Sequence, residues 1–494
     1  MELVLGLDVS TTATKAILVD GSGAVRGIGT AEYSYETPRP LWSEQDPVLW
    51  WTATGTAVRS ALAAAGAVGD AVRAIGLTGQ MHGAVLLDAA DRPLRPAILW
   101  NDQRTAAECA AIRDAVGAER LVAITGNDAI TGLTAPKLLW VRAHEPDVWS
   151  RMATVLLPKD YVRLRLTGIH ALDKADGSGT GLFDLASRDW SAAVLAALDL
   201  DPGRFPPTFE GPEVTGTLTA AAAAATGLRA GTPVVAGGGD QAANAVGVGA
   251  IDPGVVALSL GTSGVVFAAT DRPIVEPRGR VHAFCHALPG RWHLMSVMLS
   301  AAGSLRWFRD ALAPGIGFAE LVAEAETAPP GSDGLFFLPY LTGERSPHPD
   351  PSARGAFIGL TVSHERRHLT RAVLEGVAFG LRDGIDLMRA ASMPAPTVVR
   401  ASGGGLASGL WRQILADVLG IAIAGVGTTE GAAYGSALLA SPAGGLAASV
   451  VEAVERSVRV EPLAEPGDEA AAYVERHALY RELYPALSPL FPRM

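Results

Sequence analysis

The 494-residue chain has only two cysteines, Cys109 and Cys285, far apart and without metal-ligand spacing. That excludes a disulfide framework and a zinc site as organising devices, and makes a reducing cytoplasm the expected setting. Basic residues are also short, since 40 Lys and Arg against 51 Asp and Glu leave a formal net charge of −11. A general nucleic-acid binder needs a basic face to displace phosphate counterions, so no nucleic-acid partner is expected. No apolar run is long and clean enough to cross a bilayer: the stretch 431–451 is charge-free but broken by glycines, serines and Pro442. The opening MELVLGLDVS carries an early acid and no basic segment before an apolar core, so neither an export signal nor a membrane partner is expected. No G-x-G-x-x-G followed by an acid opens the chain either, which argues against a dinucleotide-binding dehydrogenase.

What is present is core-forming material. Hydrophobic residues make up 49% and charged residues 18% of the chain, the balance of a globular protein and not of a disordered one. The length exceeds what one hydrophobic core serves, so at least two domains are expected.

The organising stretch is 237–247, GGGDQAANAVG. The β-branched run TPVVA precedes it as a buried strand and small residues follow it as a close-packed helix, which sets Asp240 at a strand-to-helix turn. Turns at the carboxyl ends of α/β strands commonly carry sites, and the glycines allow a ligand or another backbone to come close. The alternative is that Asp240 merely caps the helix. At the start of the chain, LVLGLDVSTTATKAILVD reads as two strands joined by a hydroxyl-rich tip with Asp8 beside it. Such a tip is either an ordinary polar turn or a cradle for a metal-bound phosphate.

This arrangement recurs. VVALSLGTSGVVFAA at 255–269 is again strand, tip and strand, with Gly261, Thr262 and Ser263 at the tip. PTVVRASGGG at 396–405 echoes TPVVAGGGD at 232–240, each a strand running into three glycines. Two related α/β halves facing a cleft are implied, divided near 245–255. Met81 and His82 follow another strand, where a lone His is commonly structural, but the flanking Gly79 and Gly83 favour a further close approach of backbone to ligand. TAPKLLWVRAHEP at 134–146 reads as an amphipathic helix without chemistry, 217–228 as a surface helix ended by Gly227, and 369–390 as a core helix. The proline- and charge-rich loop 337–351 is expected to border the cleft.

Taken together, LWSEQDP, GQMHGAVLLD, RPAILWND, TAPKLLWV, LLPKDYVRLRLTG, GGGDQAANAVGVG, LSLGTSGV, FLPYLTGER and the glycine run before LWRQILADVLG carry a resemblance. Nearly end to end, the chain resembles the FGGY family of carbohydrate kinases, and within it the members acting on D-xylulose. The resemblance implies two duplicated actin-like, ribonuclease H-like domains, 1–246 for sugar and 247–494 for nucleotide. It implies ATP-dependent phosphorylation of D-xylulose with Mg²⁺, and a homodimer is a further expectation. Position by position, Asp240 corresponds to the catalytic base, Met81, His82 and Gln241 to sugar contacts, and Asp8 to the magnesium carboxylate. Thr11, Thr12 and Lys15 correspond to the first phosphate loop, Gly261, Thr262 and Ser263 to the second, and Gly403, Gly404 and Gly405 to the adenosine motif. Three departures stand out: the first tip reads DVSTTATK in place of a Gly-Thr-Ser turn, Asn244 replaces a glycine, and 173–184 follows a different pattern. A kinase for another ketose or polyol, such as ribulose or glycerol, is the alternative within the class, and a non-catalytic actin-like sensor the alternative outside it.

Overall fold

The computed structural model describes residues 1–427 and 430–494. Its frame is a pair of seven-stranded sheets. In the first, the strands used below are β1 (Leu3–Val9), β2 (Ala13–Asp20), β3 (Val25–Glu32), β4 (Val72–Gly79), β5 (Val214–Thr217) and β6 (Pro233–Val235), in the order β5–β6–β4–β1–β2–β3. The second contains β7 (Val255–Leu260), β8 (Gly264–Thr270), β9 (His282–Cys285), β10 (Trp292–Met298), β11 (Val398–Ser402), β12 (Ala422–Val426) and β13 (Val460–Ala464). Its order is β9–β10–β8–β7–β11–β12–β13.

The two sheets repeat one plan. A central strand, β1 or β7, pairs antiparallel with the next strand in sequence and parallel with a later one, β4 or β11. A second parallel strand, β6 or β12, and an antiparallel edge, β5 or β13, complete each copy. This is the duplicated two-domain α/β fold expected from the recurring strand-tip-strand pattern. Exposure follows it closely: residues 11–19 and 261–269 run through the same succession of half-exposed tip and buried strand.

One expected correspondence is corrected. The runs TPVVAGGGD and PTVVRASGGG looked like equivalents, but β6 lies two places from its central strand and β11 lies next to its own. The counterpart of β11 in the first sheet is β4, which leads into Met81 and His82, and the counterpart of β6 in the second is β12. Any buried strand that feeds a tight turn takes a β-branched run and then glycines, so the local pattern carries no information about position in the sheet.

Two small-residue helices join the halves. Helix α1 (Asp240–Gly247) follows β6, and α2 (Gly431–Ala440) follows β12. They cross so tightly that a Cβ on Gly435 would collide with the Ala243 carbonyl, and one on Gly247 with the Gly431 carbonyl. Although α2 belongs to the second half of the chain, it packs on the first sheet, where Gly6 and Gly76 admit the backbone at Ala433 and Ser436. In sequence the run TTEGAAYGSALLA at 428–440 reads as a small-residue helix, and its first two positions, 428 and 429, lie outside the described residues. The helices expected at 217–228 and 369–390 are found at Ala220–Thr226, closed by Gly227 in the left-handed region, and at Arg366–Ala390. Among the described residues no helix is long and apolar enough to cross a membrane.

Candidate functional site

The site grows from the carboxyl end of the first sheet. In β1 the register places Asp8 between Lys15 on β2 and Thr78 on β4. Gly238 pairs with Thr78 and Gly239 with Gly79, which brings the chain into α1 at Asp240. The cap position of α1 is Gly239, whose missing side chain makes no cap bond, so Asp240 is the first helical residue and not the cap. Its carboxylate is held by the side chain and backbone N–H of Gln241. Burial raises Asp240 to about 6 against those two hydrogen bonds. Asp8 is raised to about 7, first by burial and then by the charge of Asp240, with Lys15 opposing. The Oδ1 of Asp8 is buried without a hydrogen-bond partner. Two buried carboxylates of raised proton affinity, one of them with an unused oxygen, form a place suited to a cation and a proton acceptor.

On one side of this pair lie Met81 and His82. A Cβ on Gly239 would strike Met81, and one on Gly179 would strike both Met81 and the His82 ring. His82 has φ +67°, a left-handed conformation rare for a side chain of this size, held by its surroundings. Its Nδ1 donates to the Gly179 carbonyl at 2.6 Å, which leaves Nε2 as the acceptor nitrogen. Burial first, then the nearby Lys137, holds the ring well below its ordinary pKa, so it is neutral. Lys137, on a helix spanning Thr134–His144, is itself fully buried and donates to the carbonyls of His82, Gly132 and Leu133. That helix was expected to carry no chemistry, and here its lysine ties down the backbone of His82. Arg345, from the loop 337–351 expected to border the cleft, is close enough to lower the basicity of His82 further.

On the other side opens a cleft of 700 Å³, lined by Asp8, Lys15, Asn244, Ser402, Gly403, Gly404 and Glu430, among others. Across Gly404 it adjoins a more apolar pocket of 640 Å³, lined by Leu260, Gly261, Thr262, Leu305, Phe318, Gly405 and Trp411. At Gly403 φ is +109°, and a Cβ would collide with the Leu260 carbonyl, so this turn requires glycine. Lys15 Nζ pairs with Glu430 Oε2 at 2.9 Å, spanning the two halves beside Asp8. Seven expected residues therefore share the two pockets: Asp8, Lys15, Gly261, Thr262, Gly403, Gly404 and Gly405. Ser263, Thr11 and Thr12 lie at the hairpin tips outside the two linings. In the first tip Ser10 closes the turn on the Ala13 carbonyl at 2.8 Å, and the Thr11 hydroxyl is engaged by Gln80 and Trp100.

Beneath the site lies a buried network built by LLPKDYVRLRLTG and the departing segment 173–184. Arg163 donates to the carbonyls of Val235 and Ala236, at the end of the strand feeding Asp240, and pairs with Asp160. Lys159 Nζ meets Asp160, Asp173 and Asp176 at 2.8, 2.5 and 2.9 Å. These three carboxylates are grouped closely enough to ligate a metal, but the lysine ammonium already stands among them. Asp173 caps the short helix Lys174–Ser178, which ends at Gly179, the partner of His82. The sequence reading missed this network because Lys159, Asp160 and Arg163, together on the helix Pro158–Thr167, meet Asp173, Asp176 and the carbonyls of Val235 and Ala236 only in the fold.

A two-lobed cleft with paired carboxylates on its floor and glycine-rich turns on its walls fits a metal-bound phosphate beside a small polar molecule. Models of the N-terminal and C-terminal domains of the FGGY family of carbohydrate kinases match residues 3–247 and 256–444, and the chain belongs to that family. It is 46% identical to a protein of Escherichia coli named xylulose kinase, over 99% of this chain and 100% of the relative. Among solved structures, one of Brucella ovis described as a xylulose kinase superposes with a TM-score of 0.92 at 43% identity, covering 99% of this chain and 100% of that one. One described as a gluconate kinase of Lactobacillus acidophilus reaches 0.94 at 27% identity, covering 100% and 99%. The enzyme is accordingly a carbohydrate kinase with ATP as a substrate.

Proposed function

We propose that the protein transfers the γ-phosphoryl group of ATP to the C5 hydroxyl of D-xylulose. The observation that carries this reading is the placement of Asp240 and Asp8 between the Met81–His82 pair and the 700 Å³ cleft. The kinship with xylulose kinases, at 46% identity over nearly the whole length, supports the sugar.

In this reading Asp240 accepts the proton of the C5 hydroxyl while that oxygen bonds to the γ-phosphorus, the bond from phosphorus to the bridging oxygen breaks, and ADP leaves with the electron pair. A carboxylate raised to about 6 is largely ionised at neutral pH yet basic enough to take the proton. Gln241, holding that carboxylate, and Met81 stand beside the sugar. The neutral His82 offers Nε2 to a sugar hydroxyl, against the apolar Met81 thioether. Phosphoryl transfer asks little covalent chemistry of a protein, so positioning and charge compensation dominate. Lys15 and the backbone of Thr11 and Thr12 receive phosphate from one lobe, Gly261, Thr262 and Ser263 from the other, and Gly403, Gly404 and Gly405 take the adenosine. Asp8, with its unpaired buried oxygen, fits a magnesium ion. Magnesium, when bound, supplies charge neutralisation to the phosphates.

We divide the chain into a sugar-binding domain, 1–246, and a nucleotide-binding domain, 247–494, and place the reaction in the cytoplasm, where two buried free thiols stay reduced. An ADP-release assay across a panel of ketoses and polyols tests the reading. D-xylulose should give the highest kcat/KM; equal use of D-ribulose, or preference for glycerol or gluconate, would overturn the choice of sugar.

A further inference from the structure

The motif LWSEQDP has no part in the site as described, yet its Gln45 is buried and makes four hydrogen bonds. We propose that Gln45 is a positioning residue that couples the two substrates, by holding the first hairpin tip and the sugar-side loop in one register. The proposal rests on the kinase reading above.

Its geometry admits one arrangement. An indole N–H can only donate, and Trp50 Nε1 lies 2.6 Å from one end of the Gln45 amide, which must therefore be the oxygen. The amide nitrogen then faces the Thr11 carbonyl at 3.0 Å and the Ser34 carbonyl at 2.9 Å. Gln80 presents its nitrogen to the same Gln45 oxygen at 3.1 Å, which turns the Gln80 oxygen toward Thr11. The Thr11 hydroxyl donates to it at 3.2 Å and accepts from Trp100 Nε1 at 3.0 Å. Two donor-only indoles at the ends thus orient every group between them.

The consequence is a link between the halves of the reaction. Thr11 belongs to the tip read as a phosphate loop, and Gln80 immediately precedes Met81 and His82. Gln45 grips the first by its carbonyl and the second by its side chain, so a sugar that orders the Met81–His82 loop also orders the tip that meets phosphate. Linkage makes the effect reciprocal. The Thr11 hydroxyl is already spent on Gln80, which explains why the tip serves phosphate through its backbone.

The test is calorimetric titration of a non-hydrolysable ATP analogue with and without saturating D-xylulose. In the wild type the sugar should tighten the analogue by at least about fivefold, the low end of ordinary coupling between sites. Gln45→Met keeps the length of the side chain and loses all four hydrogen bonds. It should bring that ratio to within about twofold of one, and any weakening of the analogue without sugar, through the freed Thr11 tip, should be the smaller change, because Gln45 touches neither the second tip nor the Gly403–Gly405 turn. A structural defect alone would weaken both titrations and leave their ratio in place. Trp50→Phe, which removes only the donor that orients Gln45, should lower the ratio part of the way, and decides the matter if the first variant fails to fold. An undiminished ratio in the soluble variant, or no coupling in the wild type, overturns the proposal. A wild type that binds the analogue but neither binds nor turns over the sugar removes the functional reading with it.

Discussion

An Asp240→Asn substitution keeps the shape of the side chain and removes its charge, and the site sets two opposite consequences. Burial raises Asp240 from 3.8 to about 6. Between those values the native state binds protons that the unfolded chain has already released, so stability falls as pH rises through this window. The cost is absent below about pH 4 and complete above about pH 6 to 7. At about 1.36 kcal/mol per tenfold change in proton affinity, it amounts to about 3 kcal/mol at most, and to about 1 to 3 kcal/mol allowing for the water that reaches a partly buried carboxylate. The asparagine variant should therefore resist urea better than wild type by about that amount at pH 8, and by only about a third of it at pH 4.5. Turnover should move the other way, falling by about 10²- to 10⁴-fold, or about 3 to 5 kcal/mol of barrier, through loss of the proton acceptor. The residual activity should lose its rise near pH 6. Asp8, freed of a neighbour that raises it, should titrate below about 7. Urea unfolding at the two pH values and kcat from pH 5 to 9 read all of this. A gain of equal size at both pH values, no gain at pH 8, or a kcat within tenfold of wild type would refute the reasoning.

Three other perturbations separate the parts of the site. Asp8→Asn should lower kcat with partial recovery as magnesium is raised, and a loss indifferent to magnesium in a titration of kcat would contradict the metal role. Lys137→Met strands three buried carbonyl groups, at about 1 to 3 kcal/mol for each one left unpaired, so thermal unfolding should shift down and the KM for sugar should rise more than the KM for ATP; equal changes in both would remove its tie to His82. Gly435→Ala forces a Cβ into the Ala243 carbonyl across the crossing of α1 and α2, and a variant that unfolds like wild type in a thermal melt would show that crossing to be looser than described.

The parts of this account that were legible in the sequence are those whose chemistry is local. A strand that ends in glycines and an acid announces a turn with a carboxylate, and two hydroxyl-rich tips announce a duplicated hairpin, because backbone conformation at such turns admits few residue types. Sheet position was not legible: β6 and β11 share a local pattern and occupy different places. Lys137 escaped for a related reason. A lysine in an apolar-periodic helix reads as its solvent face, whereas here Thr134–Val141 are all buried and the ammonium is satisfied by three carbonyls from the loops around it. Gln45, Arg163 and Lys159 act largely through partners on other elements, as far off as Ala236 for Arg163, 73 residues away, and no spacing rule reaches that far.

The central claim, that Asp240 directs the γ-phosphoryl group to the terminal hydroxyl of D-xylulose, is tested most directly by identifying the product. The purified protein should be incubated with D-xylulose, ATP and magnesium, and the sugar phosphate examined by phosphorus–proton correlation NMR. The account predicts one new ester, coupled to the C5 protons, formed in equal amount with ADP. A phosphate on another carbon, or ADP released with inorganic phosphate and no sugar ester, would contradict it.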